Sequence, residues 1–98
     1  MPQVRLSERA QSDISRIHAF VFEKDLNAAQ RAVHAIREAF KPLKLSPMIG
    51  RPVEDYDDLH ELVIDFGSTG YLALYRFEPS LDVVTILAIK HQREDDYN

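Results

Sequence analysis

The chain contains no cysteine, so neither a disulfide framework nor a thiolate metal site can form, and a core that holds without cross-links suits a reducing compartment. Its 98 residues leave no room for a second domain: a chain of this length supports one core, burying roughly two-thirds of the unfolded surface. No segment approaches the roughly 20 consecutive apolar residues that a membrane-spanning helix needs. The first residues carry Arg5, Glu8 and Arg9 with no apolar stretch behind them, unlike a secretory leader. Internal repeats and low-complexity tracts are missing as well. The expectation is a single domain over residues 1–98 in the cytoplasm, without a membrane partner.

Positive charge is also scarce. The net charge is −4, whereas a protein that grips nucleic acid neutralises phosphates with a surplus of Lys and Arg. The deficit is uneven: residues 1–51 hold nine Lys or Arg against five acids, and residues 52–98 hold three against eleven. Direct DNA binding by this chain alone is not expected, although its first half can present a local basic patch.

Two amphipathic helices can be read from the apolar spacing. Val4 to Leu6 alternates like a brief strand, and Ser7 is placed to cap a helix beginning at Glu8. Ala10, Ile14, Ile17 and Val21 recur at four, three and four residues, lining one helical face over Glu8 to Glu23, while Phe20 and Phe22 widen its apolar arc. After the connector Glu23 to Leu26, Asn27 with Gln30 forms a capping-box pattern. Ala29, Ala32, Val33, Ile36, Phe40 and Leu43 then line a second helix. Pro42 lacks an N–H and clashes with the preceding turn inside a helix, which predicts a stop near Phe40 to Lys41 and only short helical structure through Leu45.

The second half reads as strands. Ser46 to Pro52 packs two prolines and a glycine into a turn cluster. The acidic run Glu54, Asp55, Asp57 and Asp58 lacks the glycine and terminal glutamate of a calcium loop, so a solvated loop is expected there. His60 to Phe66 alternates as a strand, Gly67 to Gly70 turns it, and Tyr71 to Phe77 returns. An ion pair of Arg76 with Asp65 is expected across this hairpin, with the Tyr71 and Tyr75 hydroxyls at the rim. Glu78 to Asp82 leads into Val83 to Ile89, apolar on both faces, with Val84, Ile86 and Ala88 on one side and Val83, Leu87 and Ile89 on the other. The sum is an α+β fold of order β-α-α-β-β-β, a helical hairpin packed on one face of a small antiparallel sheet with the first strand at an edge. The other sheet face has no cover from the chain itself, and an exposed apolar face marks an interaction site.

Polar residues cluster where the last strand stops. Lys90, His91, Gln92 and Arg93 are followed by Glu94, Asp95 and Asp96, which is either a binding corner or a solvated strand end that blocks edge growth. His18 and His34 have no second histidine at metal-ligand spacing, so no metal and no cofactor is expected. Arg51 can tie its loop to a backbone carbonyl or serve a partner.

Three strings, Pro47-Met48-Ile49-Gly50-Arg51-Pro52, Gly70-Tyr71-Leu72-Ala73-Leu74-Tyr75-Arg76 and Val84 to Glu94, stand in an order and spacing that resembles the RelE/ParE superfamily of type II toxin–antitoxin toxins, most closely the ParE branch. The resemblance covers nearly the whole chain. It implies a plasmid-stabilisation toxin neutralised in a hetero-oligomer by a ParD-like antitoxin. A ParE-like member inhibits DNA gyrase by binding, without a catalytic residue, and Lys90, His91 and Arg93, then Arg51 and Arg76, are the candidates for target contact. A RelE-like member would instead cut messenger RNA on the ribosome with Arg76 and His91 as catalytic groups and Glu54 or Glu61 as the base.

Overall fold

The computed structural model describes residues 1–97. The element order is β1 (Gln3–Leu6), α1 (Glu8–Phe22), α2 (Leu26–Ala39), a 3-10 helix (Lys41–Lys44), β2 (Arg51–Val53), β3 (Tyr56–Phe66), β4 (Thr69–Glu78) and β5 (Val83–His91). The strands form one sheet in the order β1-β5-β4-β3-β2. The expected β-α-α-β-β-β arrangement is present, and a short strand, β2, is added at the far edge. The sheet is mixed rather than wholly antiparallel, because β1 lies parallel to β5, with Val4 opposite Val84 and Leu6 opposite Ile86.

The helices form for the reasons their spacing gives. Ser7 is extended and its hydroxyl accepts the Ala10 N–H, capping α1. Ala10, Ile14 and Ile17 face the core. The cap of α2 is Asp25 rather than Asn27: Asp25 is extended and its carboxylate accepts the Ala28 N–H at 3.1 Å, so the helix starts two residues earlier than the Asn27–Gln30 pattern suggests. Ala29, Ala32 and Ile36 are fully buried, and the small alanines let α1 and α2 approach closely. Pro42 falls in the first turn of the 3-10 helix, where its missing N–H has no partner to lose, and Leu43 is buried beneath it.

Two sheet features depart from the sequence reading. Strand β3 begins at Tyr56, so the acidic run is part hairpin and part strand, with Asp55 at a positive φ of 70° in the turn from β2. Strand β5 carries a β-bulge: Leu74 lies opposite Ala88 while Tyr75 lies opposite Ile86, leaving Leu87 unpaired. The extra residue reverses the alternation. Ile89 therefore joins Val84 and Ile86 beneath the helices instead of pointing away with Val83. His91, opposite Tyr71, falls on the helix-covered face, and Lys90, opposite Leu72, falls on the other. The core thus consists of the α1 and α2 stripes against Ile64, Tyr71, Ala73, Tyr75, Val84, Ile86 and Ile89.

Candidate functional site

The end of β5, the start of β4 and α1 together enclose a cleft of about 510 Å³, lined by Ile17, Phe20 and Val21 on one wall and by Thr69, Tyr71 and His91 on the floor. Arg16, Lys24, Arg93 and Glu94 stand at its mouth. His91 is held at both ring nitrogens. Nδ1 accepts the Arg93 backbone N–H at 3.1 Å, so Nε2 carries the proton and donates to Thr69 Oγ1 at 3.0 Å. Burial and the neighbouring Arg93 push the His91 pKa below its ordinary value, which keeps the ring neutral in this arrangement. The Tyr71 ring meets His91 edge-on at 5.5 Å, and burial raises the Tyr71 phenol pKa, so its hydroxyl stays protonated. Glu94 is engaged within the site: its Oε1 accepts the His91 N–H and Arg16 Nη1, each at 3.0 Å. Burial raises the Glu94 pKa, but those two bonds outweigh it and the group lies below the usual carboxylate range.

The opposite face of the sheet holds a second polar group. Glu61 on β3 is ion-paired with Arg51 on β2, its register partner, and accepts the Tyr97 hydroxyl at 2.6 Å. Lys90 is only 8% exposed: its ammonium donates to the Glu94 carbonyl at 2.6 Å and lies 5.5 Å from the centre of the Tyr97 ring. The residues after β5 therefore fold back across the face that the helices leave bare. Burial, and the hydrogen bond to the Glu61 carboxylate, raise the Tyr97 phenol pKa strongly.

The sequence candidates divide between these two places. His91 and Arg93 line the cleft under α1, while Lys90, Arg51 and Arg76 belong to the other face. Arg76 and His91 do not converge: Arg76 lies five positions beyond Tyr71 along β4, about 17 Å at roughly 3.3 Å per residue, and it shares its face with Leu72 and Leu74. Arg76 pairs with Asp58 at 2.9 Å rather than with Asp65, because Asp65 lies opposite Gly70 at the far end of the hairpin. Arg51 meets a carboxylate and not a carbonyl. Glu54 sits in the β2–β3 turn, away from Glu61. The Tyr75 hydroxyl is not at a rim: it is buried and accepts the Gly50 N–H at 2.9 Å. A Cβ on Gly50 would stand 2.8 Å from that ring and 2.9 Å from the Glu61 carbonyl, so glycine is what lets this loop seat against β3 and β4. Among the described residues no cluster of three or more His, Cys, Asp or Glu could hold a metal ion, and no helix is long and apolar enough to cross a membrane.

Sequence reasoning passed over Arg16, Lys24 and Thr69 of the cleft, Tyr97 of the opposite patch, and Asp13 on α1. Asp13 sits on the polar side of α1, yet it is 6% exposed and accepts the Ile89 N–H at 2.9 Å. Tyr97 lies in a short acidic tail where nothing in the spacing signals a partner.

A helical hairpin over a five-stranded mixed sheet, with a self-paired polar cluster on its bare face, defines a small α+β domain of the RelE/ParE toxin fold. The chain belongs to the ParE toxin family of type II toxin–antitoxin systems, whose family model matches residues 4–96, and it is the toxin of such a pair. It is 31% identical over 94 residues to Toxin RelE3 of Caulobacter vibrioides, covering 96% of this chain and 98% of that one. Among solved structures it is similar to the chromosomal ParDE system of P. aeruginosa (TM-score 0.75, 24% identity, 93% of this chain and 96% of that one). It is also similar to the E. coli RelBE complex (TM-score 0.64, 17% identity, 96% and 100%).

Proposed function

We propose that this toxin acts in the cytoplasm by binding DNA gyrase, without chemistry of its own, and that a ParD-like antitoxin neutralises it. The observation that supports binding over catalysis is the separation of Arg76 from His91 on opposite faces of β4 and β5. A base, a cation and an acid acting on one phosphate must lie within hydrogen-bond reach of it. In addition His91 is occupied at both nitrogens, which leaves no lone pair for proton abstraction. Arg93, whose side chain is exposed and makes no ion pair among the described residues, is the leading candidate for target contact, followed by Arg51, exposed but paired with Glu61, and the half-exposed Arg76; Lys90 and His91 are buried enough to act by fixing the chain around it. The antitoxin reading is supported by the ParDE and RelBE complexes to which the chain is similar and by the incompletely covered sheet face. A supercoiling assay with purified toxin and gyrase tests the proposal: inhibition that saturates is expected, and full supercoiling at saturating toxin overturns it.

A second reading, ribosome-dependent messenger cleavage, is favoured by one cluster. Glu61, Arg51, Lys90 and Tyr97 bring a carboxylate, two cations and a phenol to one patch. A phenol with a raised pKa is a poor proton donor, and Glu61 is already paired, which is why binding is preferred. Cleavage of translated messages that disappears in Glu61→Gln would establish the second reading in place of the first.

A further inference from the structure

We propose that Asp95 to Tyr97 form a strap that closes the bare face of the sheet against partners, and that it lifts while the rest of the fold stays intact. Beyond β5 the chain first turns at a fixed corner. The Glu94 N–H donates to the His91 carbonyl and the Glu94 carboxylate accepts the His91 N–H, each at 3.0 Å. After the corner the grip changes. Asp95 and Asp96 are exposed and, among the described residues, enter no ion pair. Tyr97 alone ties this arm down. Its hydroxyl donates to Glu61 on β3 at 2.6 Å, its ring centre lies 5.5 Å from the Lys90 ammonium on β5, and its carbonyl accepts from Arg9 on α1.

A side chain that bridges Lys90 and Glu61 passes over β4, where Leu72 and Leu74 are their register partners. Both leucines are half-buried, although they lie outside the core cluster beneath the helices. Lys90 is only 8% exposed, an unusual state for a lysine on a sheet face that no helix covers. The anchor is also one that can let go. Tyr97 belongs to no apolar cluster, and lifting it breaks contacts of one residue without breaking a strand hydrogen bond, which is the kind of local opening that leaves the core folded. Closed, the strap withholds Lys90 and adds two acids to the side of the sheet that carries Lys90, Arg51 and Arg76. Lifted, it bares a cation beside leucines, which complements an acidic and partly apolar surface. The corner does not move in this opening, so the Arg93 backbone N–H keeps its bond to His91.

Trace acetylation of the intact chain with acetic anhydride, read by mass spectrometry, compares Lys90 with the exposed Lys44 in the same molecule. In the wild type Lys90 is expected to react roughly tenfold or more slowly than Lys44, and Tyr97→Ala to speed it by about threefold or more. Tyr97→Phe keeps the ring, loses the bond to Glu61 and falls in between. Tyr97 lies outside the core, so both variants fold, with an unchanged urea midpoint as the check. A wild-type Lys90 as reactive as Lys44, or one unmoved by Tyr97→Ala, overturns the strap. A second arm rests on the gyrase reading: Tyr97→Ala is expected to lower the toxin concentration for half-inhibition of supercoiling by about threefold, because the face no longer has to open first. An unchanged or higher concentration overturns closure against partners. If neither form inhibits gyrase while Lys90 responds as stated, the strap stands and the gyrase reading falls.

Discussion

The Asp13 carboxylate accepts the backbone N–H of Ile89 at 2.9 Å, joining the middle of α1 to the far end of β5. Strand β1 covers β5 only from Val83 to Ile86, so the amides beyond would form an open sheet edge. Side chains of the α1 segment close it: Ser7 donates to the Leu87 carbonyl at 3.0 Å, Arg16 to the Ile89 carbonyl at 3.3 Å, and Asp13 takes the amide between Arg9 and Arg16. Asp13→Ala leaves a buried N–H unpaired and is expected to lower stability by about 2 to 3 kcal/mol, with Asp13→Asn losing about 1 because an acceptor remains. Urea unfolding measures both. A loss below about 0.5 kcal/mol for the alanine variant, the level of an ordinary surface change, would show that the edge is held some other way.

Acid should weaken the fold in two stages. His91 titrates below its ordinary 6.5 in the folded chain, so the unfolded chain takes up its proton first. The stability that the neutral ring contributes is complete above 6.5 and is lost as pH falls from there through the folded value. Glu94 comes next: its folded pKa lies below 4.5, so its contribution holds above 4.5 and fades beneath it. The urea midpoint of the wild type should therefore fall first below 6.5, and His91→Gln should remove that first stage while keeping the second. An unchanged upper stage in the variant would assign it to another group.

His60 shows what the sequence concealed. Its place at the polar start of an alternating run suggests an exposed strand end, yet it is 3% exposed in the middle of β3, stacked on Tyr75 at 5.5 Å, and its Nδ1 has no hydrogen-bond partner. A buried polar atom left unpaired costs about 1 to 3 kcal/mol. His60→Phe keeps the stack and removes the orphan, so it should raise stability by about 1 kcal/mol, read as a higher urea midpoint. A lower midpoint would mean that Nδ1 is satisfied in solution, by water for example.

The helical half of the fold was legible because its signals are local: a 3.6-residue stripe, the Ser7 cap, Pro42 as a stop. The sheet was less so. Arg51–Val53 is too short, and interrupted by Pro52, to read as a strand, and Tyr56–Asp58 is too polar. The bulge at Leu87 leaves no mark in an uninterrupted apolar run, yet it decides which face His91 and Lys90 occupy. Lys90, His91, Arg93, Arg51 and Arg76 could all be picked out as basic residues at strand ends and turns. The face that Lys90 and His91 take depends on that one unpaired residue, and Asp58, Glu61 and Tyr97, the partners of Arg76, Arg51 and Lys90, lie elsewhere along the chain.

Arg93 offers the sharpest functional test. Its backbone N–H holds the His91 ring, whereas its side chain is exposed and, among the described residues, free of ion pairs. A side-chain substitution thus spares the bond that orders the corner. Arg93→Glu is expected to leave urea stability within about 0.5 kcal/mol of wild type. If the guanidinium meets an acidic surface on gyrase, the same change reverses a rim charge and should raise the toxin concentration for half-inhibition of supercoiling by about tenfold, an effect that shrinks as salt is added. Arg76→Glu, on the other face and released from Asp58, should move it less. Inhibition equally strong in Arg93→Glu would transfer target contact to the Arg51 and Arg76 side of the sheet.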